Sequence, residues 1–72
     1  MSDKEFLLKM GAKIRTIRKS RNISLRDLEK YKITDRGHLS RLENGQVSVK
    51  ALTLKQLAEV LSCNVYDFFI FA

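Results

Sequence analysis

Apolar residues recur at spacings of three and four along most of the chain. Leu7, Met10, Ile14 and Ile17 share one narrow stripe, and Lys4, Lys13, Arg15 and Lys19 fall outside it, a pattern that predicts a first amphipathic helix. Asn22 follows, a residue that accepts the left-handed conformation in which helices end. Ser24, three residues before Asp27 and directly before Leu25, predicts a capped second helix ending near Tyr31. Thr34 or Asp35 caps a third, which runs to about Glu43 and stops at Asn44-Gly45. A fourth runs from about Lys50 to Leu61 with Leu54, Leu57, Ala58 and Leu61 on one face, and Asn64 opens a fifth from Val65 to about Ile70. The 72 residues hold no Pro, low-complexity stretch, linker or internal repeat. The expected fold is therefore all-α: a single domain over residues 1–72, a compact bundle of five short helices.

The second and third segments lie close together, as in a helix-turn-helix spanning about residues 25–44. At 100° per residue, Arg36, Gly37, Ser40, Arg41 and Asn44 fall within an arc of about 140°, while Leu39 and Leu42 point the other way. The third helix is thus held by its leucines and offers two guanidiniums and a hydroxyl outward. Arg suits a major groove, since its planar fork matches the O6/N7 edge of guanine. A surface helix that is polar only because it is wet has the same pattern. His38, at the margin between Arg41 and Leu42, either reaches a base or phosphate or is a plain flank residue.

Charge sharpens the choice. Fourteen basic against eight acidic residues leave +6. Residues 1–50 hold thirteen basic and six acidic, net +7, and residues 51–72 hold one and two, net −1. A basic first two-thirds and an apolar tail imply one surface for a polyanion and one for protein. With six aromatics and no Trp, the core is thin, and a cleft enclosing a metabolite would use up most of it. We expect no small-molecule ligand. Cys63, the single cysteine, excludes an internal disulfide, and with only His38 beside it no finger-type metal set exists. No metal or cofactor is expected, and Cys63 is read as a small buried hydrophobe rather than a redox thiol. No carboxylate pair faces a nucleophile and no Gly-rich phosphate loop occurs, so enzymatic chemistry is not expected. Without a membrane-length apolar run or a signal peptide, the expected setting is the cytoplasm.

Three ordered stretches carry a family resemblance: Gly11-x-x-Ile14-Arg15-x-x-Arg18, Ile23-Ser24-Leu25-x-x-Leu28, and Leu39-Ser40-Arg41-Leu42-Glu43-Asn44-Gly45. Leu54-x-x-Leu57-Ala58-x-x-Leu61 and Val65-x-x-Phe68-Phe69 continue it in one register from residue 6 to 69. The set resembles the Cro, phage-repressor and xenobiotic-response-element (XRE) helix-turn-helix family, which implies a five-helix, lambda-repressor-like fold that binds operator DNA, usually as a two-fold dimer. Its stand-alone members include phage and mobile-element repressors, antitoxins and controllers of restriction–modification systems. This chain is similar to the last in size and in lacking the Pro.

The resemblance places base readout on Arg36, Gly37 and Arg41, with Ser40 beside them, and the position of His38 on the same helix adds it to the base-readout set. Phosphate contacts fall on Ser24, Leu25, Arg26, Asn44, Gln46 and Ser48. It also accounts for Arg18, a charge inside the apolar stripe where an unpaired guanidinium is costly: the family pairs this position with that of Glu43. Otherwise Arg18 snorkels to solvent. Departures from the family are Glu29 for Ala, Ile33 for the turn Gly and Val49 for Pro. A β-branched residue resists the positive φ of a turn Gly, so the turn is expected to be wider or built differently.

The tail over residues 64–72 is the candidate protein surface. Tyr66, Phe69, Ile70 and Phe71 leave a short helix apolar on nearly every side, and such a patch marks an interface; alternatively Ile70 and Phe71 fold back near Phe6. The chain is thus read as a sequence-specific transcriptional regulator, a homodimer on double-stranded, palindromic operator DNA with no membrane partner. The alternative is a protein-interaction adaptor or antitoxin whose function would survive removal of the basic arc. RNA is a weaker third, because no stacking aromatics interleave with the basic residues.

Overall fold

Ser2 starts α1 (Asp3–Ser20) by accepting the Glu5 N–H on its hydroxyl at 3.1 Å, pairing one of the donors a helix start leaves open. The computed structural model describes residues 1–71, so Ala72 of the expected tail lies outside the described residues. α1 buries Met10, Gly11, Ile14 and Arg18 and ends where Asn22 turns left-handed, φ 58°.

α2 (Leu25–Glu29) is shorter than expected and buries Leu28. The chain then reverses through Lys32, which takes the positive φ of 59°. The turn is therefore built at the residue before Ile33, whose branched side chain is free to pack against the core. Asp35, not Thr34, caps α3 (Arg36–Glu43), accepting the His38 N–H at 2.7 Å.

α4 (Ala51–Leu61) buries Leu54, Leu57, Ala58 and Leu61 and ends at left-handed Ser62. Arg21 fastens that end to α1, its Nε donating to the Leu61 carbonyl at 2.8 Å, where the helix dipole favours a cation. The expected fifth α-helix is instead a 3₁₀ helix, Val65–Phe69, a short tight form whose one fully buried side chain is Phe68. Just beyond it Phe71 meets the Phe6 ring edge-on at 5.9 Å, and Phe69 stacks on the same ring at 5.7 Å. Leu28, Leu39, Leu42, Leu57, Leu61, Ile14 and Phe68 form the centre of the core, so every helix is fixed through at least one fully buried side chain.

Candidate nucleic-acid interface

α3 is held from behind by direct backbone contact. A Cβ on Gly11 would meet the Leu42 carbonyl oxygen and lie 2.6 Å from that of Glu43. One on Gly45, where φ is +69°, would come within 2.7 Å of the Leu8 backbone. Only glycine at both places lets α1 lie flat against the end of α3. Beside that contact Arg18 grips Glu43 with two parallel bonds, Nε to Oε2 at 2.6 Å and Nη2 to Oε1 at 3.0 Å. Its remaining Nη1 donates to the Ile23 carbonyl at 2.7 Å. The pair is 6% and 7% exposed, and among the described residues no buried side-chain polar atom lacks a partner. A buried pair is tolerable on those terms.

The front of α3 is fixed by a residue the sequence did not single out for this. Glu29 Oε2 accepts the Arg36 N–H at 2.8 Å, tying the end of α2 to the first turn of α3. Where the family places a small Ala for close packing, this chain uses a carboxylate at a helix start, an anion at the positive end of a dipole. No spacing rule shows that bond in advance, because it depends on the turn geometry at Lys32.

So anchored, α3 presents Arg36, Gly37 and Arg41 fully to solvent, Ser40 half-buried between them and Asn44 exposed at its end. Among the described residues, no group engages the Arg36 or the Arg41 guanidinium. Gly37 leaves room for its neighbour: a Cβ there would sit 3.5 Å from Arg41 Nη1 and 3.3 Å from the capping Asp35 Oδ1. His38 is placed apart, in a recess with Ile33, Thr34, Ser48, Lys50 and Thr53.

The expected phosphate positions flank this face. Ser24 caps α2, its hydroxyl accepting the Asp27 N–H at 3.0 Å while Asp27 Oδ2 accepts the Ser24 N–H at 3.2 Å. The Ser24 N–H, donating to that carboxylate, is the chief reason the Asp27 carboxyl lies below its ordinary value. Arg26, Gln46 and Ser48 are exposed and Leu25 is half-buried. Between α1, α2 and α3 lies a small polar cleft lined by Arg15, Arg18, Leu25, Ser40, Glu43 and Asn44.

In the tail, Tyr66 is 63% and Ile70 51% exposed, whereas Phe71 is half-buried. Cys63 is half-buried too, and burial first, then the charge of Asp67, pushes its thiol up, which opposes thiolate chemistry. The described residues contain no group of three or more potential metal ligands, and none of their helices is long and apolar enough to cross a membrane.

The helix-turn-helix family model matches residues 14–68. Among solved structures, the crystal structure of the DNA-binding domain of BldD is similar, with a TM-score of 0.82 and 27% sequence identity over 94% of this chain and 97% of that one. No curated protein matches.

Proposed function

This chain belongs to the helix-turn-helix family, and from that premise we propose that it is a non-enzymatic, DNA-binding transcriptional regulator that works in the cytoplasm. The observation that carries the proposal is the exposed face of α3. Two unpaired guanidiniums, Arg36 and Arg41, stand on a helix locked from behind by Gly11, Gly45 and the Arg18–Glu43 pair. Arginines on a rigid helix meet the geometric demand of base recognition, which needs donors fixed to within a fraction of an ångström. The similarity to a DNA-binding domain over nearly its whole length points the same way.

In this reading α3 enters the major groove, Arg36, Ser40 and Arg41 read base edges, and Gly37 allows close approach. Ser24, Leu25, Arg26, Asn44, Gln46 and Ser48 set the register on phosphates. His38, recessed beside Ser48 and Lys50, is assigned to the backbone side rather than to bases. A second copy docks through the exposed Tyr66 and Ile70, so that a two-fold protein meets a palindromic operator, as a repressor or autoregulator. Selection of binding sites from random DNA, followed by sequencing, tests the proposal. An enriched motif with two-fold symmetry supports it, and a pool that stays random overturns it.

A further inference from the structure

We propose that α1 also grips the DNA: Arg15, with Lys19 one turn further on, holds the phosphate backbone alongside the recognition helix. The inference rests on the DNA-binding reading of α3 and extends it to an element that supplies none of the contacts assigned above. Arg15 is exposed and has no hydrogen-bond or ion-pair partner among the described residues, and the same is true of Lys19. Both lie to one side of the buried stripe of α1, about 60° and 100° around the helix from Arg18.

The structure brings that side of α1 to the candidate interface. Arg15 lines the polar cleft that Ser40 and Asn44 wall from α3. The floor of the cleft is the Arg18–Glu43 pair, each charge already matched by the other. Among the described residues that line the cleft, the free cation at its rim is therefore Arg15, next to a hydroxyl and an amide, a set suited to a singly charged phosphodiester oxygen. From Asn44 a second groove continues along α1 past Arg15, Thr16 and Lys19. A strand of DNA backbone leaving the cleft by that groove meets Lys19 next. The cleft is polar and the groove is mixed, with Leu8 and Ala12 beside its polar groups; both are open to solvent and adjoin the face that carries Arg36 and Arg41, which favours a continuous backbone over a small enclosed anion.

Lys13 provides the internal control. It is on the same helix about 160° away from Arg15, beside Ile70 and Phe71 rather than α3. Replacing it removes one charge from the molecule but none from the proposed track. The experiment measures binding to a mixed-sequence DNA duplex of about 20 base pairs over a series of salt concentrations, for the intact chain and its R15Q, R15Q/K19Q and K13Q variants, each checked for folding by circular dichroism. Each phosphate contact contributes about 0.9 to the slope of log affinity against log salt. R15Q should lower the slope by about 0.9 and the double variant by up to about 1.8, with K13Q unchanged. Equal slopes in all four proteins, or an equal loss in K13Q and R15Q, overturn the assignment while leaving the function of α3 intact. Competition by millimolar inorganic phosphate at constant ionic strength would mark a free-phosphate site instead and also overturn it. An intact chain that does not bind the duplex at all removes the DNA-binding reading itself.

Discussion

At the scale of single residues, the side chains divide into those that hold α3 and those that α3 offers. Arg36→Ala and Arg41→Ala belong to the second group and should each cost about 1–3 kcal/mol on the selected site, with a local loss of base preference. Titration of specific and random duplexes with each variant checks this. Equal weakening on both would make these arginines phosphate contacts. Glu43 belongs to the first group. Glu43→Ala strands the buried Arg18 charge, and removal of one partner from such a pair costs about 3–5 kcal/mol, a large share of what a small domain has. Urea denaturation should show the loss, and an Arg18→Met/Glu43→Leu double variant should recover much of it. Arg18 stood out in the sequence because a charge broke an apolar stripe. Arg21 and Arg15 broke no pattern and Glu29 departed only from the family's Ala, since an exposed or half-buried charge on a helix is ordinary. Their roles depend on which carbonyl, amide or cleft the fold brings near them.

Local bonds made some helix starts and stops legible, though the pattern misses the Ser2 cap of α1 and leaves both Thr34 and Asp35 open as the cap of α3. Ser24 and Asp27 cap α2 within three residues of each other, and Asn22 and Gly45 end helices by their own backbone preference. Where the outcome depends on non-local packing the pattern was silent. It gave no sign that Lys32 rather than Ile33 takes the left-handed turn, and period alone does not separate a 3₁₀ helix of five residues, Val65–Phe69, from a fifth α-helix. The α2 cap also sets a pH dependence. Asp27 is shifted down on folding, chiefly by the Ser24 N–H, so its contribution to stability is complete above its unfolded pKa. It is lost as pH falls through the lower folded value. Ser24→Ala should destabilise the fold by about 0.5–2 kcal/mol at neutral pH. Because the Ser24 N–H bond to Asp27 comes from the backbone, most of the Asp27 share of the acid dependence should survive in Ser24→Ala and be lost in Asp27→Asn. Thermal melts from pH 2 to 7 of the two variants and the intact chain separate them, and a Ser24→Ala protein whose acid dependence falls as far as that of Asp27→Asn would reverse the order of those causes.

For the whole molecule the question is what covers the apolar tail. Charge is gathered in residues 1–50 at net +7, on α1, α2, α3 and the turns that join them, while Tyr66, Phe69 and Ile70 expose apolar surface beyond α4. Folding back accounts for part of that surface: Phe71 and Phe69 pack on Phe6. Tyr66 at 63% and Ile70 at 51% exposure remain uncovered. Two copies joined there would bury the same residues twice and leave both α3 helices free to enter successive major grooves about 34 Å apart. The variant that tests this must spare the fold, so Phe71 is left alone and the exposed pair is changed to Tyr66→Ser, Ile70→Asp. Sedimentation should then show a folded monomer where the intact chain is a dimer. Specific affinity should drop steeply, since each half-site alone keeps only its own contacts, while the per-subunit salt slope stays the same. A variant that remains dimeric with unaltered operator affinity would place the two-fold contact elsewhere on the molecule.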